Sequence, residues 1–149
     1  MQDELITQFD RGIRRIREEL EAYPQENMLW QTAGEINNSA GNLAFHLVGN
    51  LNHFIGAGIG DTGYMRDRPR EFNITDVPRE ALIKYLEQTR RMIWQVLRRV
   101  DDFSAPYPDA FRPESKTISQ ELFRLLTHLY YHLGQINYHR RLIVATTTK

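Results

Sequence analysis

The sequence predicts an all-α protein: a four-helix bundle with crossed connections rather than a plain up-down-up-down path. Three observations lead there. Four stretches repeat apolar residues every three or four positions, the period of a helix with one buried face. Nothing reads as a strand, which would alternate apolar and polar residues. The second connection, Gly56–Val77, is the longest and opens Gly56-Ala57-Gly58-Ile59-Gly60, which suits a crossover better than a tight antiparallel turn.

The first helix is expected from about Asp3 to Tyr23, with Leu5, Ile6, Phe9, Ile13, Ile16, Leu20 and Tyr23 facing inward and Pro24 ending it. The second is expected from about Ser39 to Ile55, with Ser39 as N-cap and Leu43, Leu47, Leu51, Phe54 and Ile55 as its stripe. The third is expected from about Pro78 to Phe103, with Leu82, Tyr85, Leu86, Met92, Ile93, Val96 and Val100 inward. Asp76 stands at its cap position and Pro78 in its first turn. The fourth is expected from about Ile118 to Val144, where Thr117 and Gln120 fit a capping box. Connections 23–38 and 103–116 are of medium length, and Thr146-Thr147-Thr148 reads as a frayed tail.

The 149 residues suit one domain, 1–149, large enough to fold without staples. Lys plus Arg and Asp plus Glu are both 19, so the net charge is zero; a nucleic-acid protein would show a basic excess. The absence of cysteine excludes disulfides, thiolate metal sites and a Cys nucleophile. Met1-Gln2-Asp3-Glu4 is not the basic start of a signal segment, and no apolar run approaches a membrane span, so a cytoplasmic location is expected.

The histidines carry the functional signal. His128 and His132 are four apart, about 40° of rotation and about 6 Å of rise on a helix, so both rings can converge on one ion. Gln135 and His139 continue that stripe. Two histidines do not complete a zinc site, and the second helix offers a third in His46, on a face shared with Asn42, Asn50 and His53. Such a polar face in a core is costly without partners or a ligand. His53 and His139 each lie seven residues beyond a proposed ligand, too far along the axis to bind the same ion. A zincin is excluded because Leu129, not Glu, follows His128, and the chain has no Glu-x-x-His motif of a ferritin-like di-iron site. A mononuclear three-His site remains, with the open positions of a catalytic metal.

These motifs together resemble the DinB/YfiT-like family of predicted metal-dependent enzymes. The resemblance covers nearly the whole chain. It rests on Asn38-Ser39 to His46, on Leu47-Val48-Gly49-Asn50-Leu51, on His128-x-x-x-His132 with Gly134-Gln135-Ile136, and on Arg66-Asp67-Arg68-Pro69-Arg70-Glu71-Phe72. It implies a crossed four-helix bundle and a His-triad site for a divalent ion, matched by His46, His128 and His132. Zinc or nickel is expected there, with iron, cobalt or manganese as alternatives. Characterised relatives include low-molecular-weight thiol S-transferases and hydrolase- or isomerase-like members. Several carry an Asp three residues after the first His; here that position is Gly49, so no carboxylate base beside the metal carries over.

The expected function is activation of a thiol cosubstrate or water for S-transfer or hydrolysis of a small molecule. Any thiolate must arrive on the cosubstrate, because the chain has no Cys. Asn50, Gln135 and Tyr131 are candidates to orient the bound groups, although bundle packing would use the same residue types. The Arg66–Arg70 stretch reads either as a loop over the site mouth that pairs with an anionic substrate, or as a solvated loop whose Arg and Asp pair with each other. The Arg pairs at 14–15, 90–91, 98–99 and 140–141 read as solvated surface. A homodimer is expected. Rival readings are a non-enzymatic bundle, such as a stress-response dimer, and a metal- or haem-binding module.

Overall fold

The computed structural model describes residues 1–147. Five α-helices follow one another: α1 (Gln2–Glu21), α2 (Ala40–Leu51), α3 (Arg68–Asn73), α4 (Arg79–Leu97) and α5 (Ile118–Thr147). A 3-10 turn, Glu26–Trp30, precedes α2, and a π-helical turn, Asn52–Ala57, extends it. Among the described residues there is no strand, only one isolated antiparallel bridge between Pro106 and Thr117.

Every apolar position predicted to face inward from the first two helices is buried. α1 stops at Glu21, where the Ala22 N–H closes the last turn on the Glu18 and Glu19 carbonyls. Pro24 disfavours the helical conformation at Tyr23, whose ring is nonetheless buried beside α5. Ser39 caps α2 as expected, accepting the Asn42 N–H at 3.2 Å. Beyond Leu51 the chain widens: the Gly58 N–H reaches the His53 carbonyl five residues back.

Four expectations change. The stretch from Arg68 is helical, not loop: Asp67 Oδ1 accepts the Arg70 N–H at 3.1 Å, and Pro69 sits in the first turn. α4 starts at Arg79, and Asp76, with φ of 59°, gives it no cap; Glu26 accepts the Arg79 N–H instead. α4 also ends six residues before Phe103, where the Arg99 and Val100 N–H groups bond three residues back, to the Val96 and Leu97 carbonyls, instead of four. Its Tyr85 is 40% exposed rather than inward.

At α5, Thr117 Oγ1 accepts the Gln120 N–H at 3.2 Å, but the Gln120 side chain reaches back to Lys116 rather than Thr117. The hydroxyls of Thr146 and Thr147 bond to the Leu142 and Ile143 carbonyls, so both continue the helix; Thr148 lies outside the described residues. α1 packs against α4 and α5, and α2 packs against α3, α4 and α5. Arg90 reaches Asp10 of α1 from α4, and Arg140 reaches Glu19 of α1 from α5; both are about three-quarters buried, not solvated. No helix of the described residues is long and apolar enough to cross a membrane.

Candidate metal centre

α2 and α5 lie side by side, and their facing surfaces carry the three predicted histidines. One ligand atom from each of His46, His128 and His132 lies within 4.8 Å of the other two. His46 Nε2 stands 3.0 Å from His128 Nε2. The ring centroids are 5.2, 5.1 and 4.4 Å apart, each pair edge to face. His46 and His132 are buried and His128 is half-buried, so the group has one solvent-facing side.

Two rings are oriented from behind. His46 Nδ1–H donates to Glu71 Oε1 at 2.9 Å, and His132 Nδ1–H donates to Gln135 Oε1 at 2.7 Å. With the proton on Nδ1, each Nε2 keeps its lone pair for a ligand, the arrangement that metal-binding histidines adopt.

Glu71 is the residue beside the triad that sequence reasoning missed. It is 2% exposed and enters from α3, while Arg66 holds it side-on through Nε to Oε2 at 2.9 Å and Nη2 to Oε1 at 2.8 Å. Gly49 makes this possible: a Cβ there would stand 2.0 Å from Glu71 Oε2. So the position without a carboxylate in α2 is a notch that receives one from another element. Asn42 fastens that element, donating from Nδ2 to the Glu71 carbonyl at 3.2 Å and the Ile74 carbonyl at 2.7 Å. Arg66 therefore pairs with Glu71 rather than with Asp67, which caps α3. The signal was present in Asp67 and Pro69, a helix start inside an assumed loop.

The electrostatics favour neutral imidazole and ionised carboxylate. Burial pushes the His128 ring down to about 4, helped by His132, His46 and the Arg124 and Arg66 cations. Burial also lowers His132, against the Gln135 hydrogen bond. Burial alone would raise the Glu71 carboxyl, but hydrogen bonds from His46 and Arg66 bring it below the ordinary glutamate value.

The other candidates fall in different places. The Tyr131 ring is 64% exposed and meets the edge of His132 at 5.3 Å. Asn50 is 4% exposed, and its Oδ1 has no partner among the described residues. His53 packs on Phe54 and Phe111, and His139 is a buried clip: it accepts from the Tyr23 hydroxyl at 2.6 Å and donates to the Gln31 carbonyl at 2.7 Å. Neither belongs to the triad.

A sequence model of the DinB superfamily matches residues 8–136, which contain all three histidines, Glu71 and Arg66. The chain belongs to the DinB superfamily. No curated protein matches it. The superfamily is known for metal-binding helical proteins, and the donor set of this member fits that: three imidazole nitrogens, two of them oriented by outer hydrogen bonds, can hold a divalent ion.

Proposed function

We propose that this DinB-superfamily chain is a metal-dependent enzyme in which His46, His128 and His132 hold one divalent ion, zinc or nickel before iron, cobalt or manganese. The convergence of the three ring nitrogens within 4.8 Å carries this reading. When bound, the ion would lower the pKa of a thiol or water at neutral pH, the chemistry of S-transfer or hydrolysis. The chain's own part is positional. Glu71 and Gln135 fix two of the rings, Arg66 keeps Glu71 ionised and still, and Tyr131 stands at the rim beside His132. Asn50, Gln135 and Tyr131 would contact the bound small molecule or low-molecular-weight thiol.

The pairing of α1 and of α2 with both α4 and α5 supports crossed connectivity in a single domain. Exposed Tyr131 and Tyr138 on α5 support a homodimer, and the absence of a membrane-spanning helix among the described residues accords with a cytoplasmic location. The test is elemental analysis of protein purified without a His tag, followed by turnover trials pairing thiols with electrophiles. We expect about one divalent ion per chain, lost in His46→Ala and in the double variant His128→Ala/His132→Ala. Equal metal content in wild type and both variants overturns the reading; stoichiometric metal without turnover leaves a binding bundle instead of an enzyme.

A further inference from the structure

We propose that Arg66 and Arg124 form an oxyanion clamp at the mouth of the triad, selecting a small-molecule ligand that bears a carboxylate or phosphate group. This rests on the triad as the reactive centre. Two guanidinium groups from different elements converge on one ring: Cζ of Arg124 lies 4.9 Å and Cζ of Arg66 lies 5.8 Å from the Phe54 centroid. Arg124 stands one helical turn before His128 on α5, and Arg66 lies behind His46 through Glu71. Arg66 Nη2 also stands 3.4 Å from His46 Nδ1, so one guanidinium borders a triad ring directly and the other follows the His128 face of α5.

Each guanidinium is held in the same way. Arg66 donates through Nε and Nη2 to Glu71, and Arg124 donates through Nε, at 2.9 Å, and Nη2 to Glu121. The two carboxylates are 2% and 0% exposed, so the anchors are rigid and dry. Ser115 and Arg112 brace Glu121 further, the hydroxyl donating at 2.5 Å. Binding along that one edge leaves Nη1 of each arginine without a protein partner among the described residues. Solvent reaches both side chains, which are 12% and 29% exposed. A guanidinium fixed from behind with its other edge free is suited to planar, bidentate capture of an oxyanion. Each arginine–carboxylate pair is neutral, so a divalent ion on neutral imidazoles would leave the mouth net positive, complementary to an anion.

Asn50 adds an independent sign. It lies on the same stretch of chain, four residues after His46 and four before Phe54, nine-tenths buried, with its Oδ1 unpartnered among the described residues. A buried amide without a partner accords with a missing polar ligand. Arg68 and Arg70, over Phe72 and Phe45, pair with no buried carboxylate among the described residues and are outside the clamp.

The test titrates inorganic phosphate and succinate, separately, into metal-loaded and EDTA-stripped protein by calorimetry at constant ionic strength, with metal content measured for each sample. At least one anion should bind wild type. Arg66→Lys and Arg124→Lys should each weaken it tenfold or more, since an ammonium keeps the charge and loses the fork. Arg124→Lys should retain its metal. If that variant unfolds, Arg124→Gln keeps a donor for Glu121 and carries the same test. Tighter phosphate assigns a phosphate-bearing ligand, and tighter succinate a carboxylate. Failure of both anions to bind wild type, or wild-type affinity in both variants, overturns the clamp. An anion lost on stripping but indifferent to the lysine variants also overturns it and leaves the metal reading standing. Absence of metal from wild type overturns that reading alone, while the stripped protein still reports on the clamp.

Discussion

Gly49→Ala should damage the site from a position that offers no metal ligand of its own. The added methyl would stand 2.0 Å from Glu71 Oε2 and 2.6 Å from its Cδ, so something must move. A free side chain would swing aside cheaply, but this one is held by Arg66 and His46 and is 2% exposed. If Glu71 leaves, buried donors on His46 and Arg66 lose their acceptor, at about 1–3 kcal/mol. If α3 retreats instead, overpacking costs about 1–3 kcal/mol. Against either, alanine in place of a helical glycine stabilises by roughly 1 kcal/mol. The net expectation is a loss of up to about 2 kcal/mol, or a Tm lower by up to roughly 8 °C for a chain of this size. Metal affinity should fall about 10–100-fold, as when an outer hydrogen-bond partner of a ligand is removed. Gly134→Ala is the control: it is exposed in mid-α5, has nothing within 4 Å of the new methyl, and should raise Tm slightly. Calorimetric melts and competitive metal titration read both quantities. If Gly49→Ala is as stable as Gly134→Ala and binds metal like wild type, Glu71 does not fill the notch and the second half of the site is wrong.

EDTA should lower the Tm of wild type but leave His46→Ala unmoved, because a ligand that binds only the folded state stabilises it by mass action; equal shifts in the two would contradict the triad. The metal-free protein should lose stability as pH falls below about 6.5. Burial lowers His128, His132 and His139 in the folded state, so between the folded and unfolded values the unfolded chain binds more protons and acid favours it. His128, held near 4, contributes at most about 3 kcal/mol, less for its solvent-facing side. Urea midpoints at pH 7.5, 6 and 5 check this, and a midpoint that is flat or rising toward acid refutes it. Tyr23→Phe removes the hydroxyl that donates to buried His139 Nδ1 and should cost about 1–2 kcal/mol without changing metal content. A change in metal content would place His139 in the site after all.

Helix and triad were legible because both depend on local spacing. The 3.6-residue period put Leu5 to Tyr23 and Leu43 to Ile55 inside, and the four-residue interval of His128 and His132 put two rings on one face. His46 was readable as part of a polar stripe with Asn42 and Asn50 beside the apolar stripe of α2. The ends of the elements were less so. α4 closed early in a three-residue turn after Leu97, and a short α3 rose from an assumed loop, since caps are contests between single hydrogen bonds.

Sequence by itself determined the all-helical character, the buried stripes and the identity of the three imidazoles, because period and residue chemistry travel along the chain. Only the tertiary structure decided that a glycine in α2 faces a glutamate 22 positions later in the sequence, that Arg66 holds that glutamate, and that Arg124 joins Arg66 over Phe54. Those contacts link residues with no shared period, and the space they occupy exists only once α2, α3 and α5 have packed.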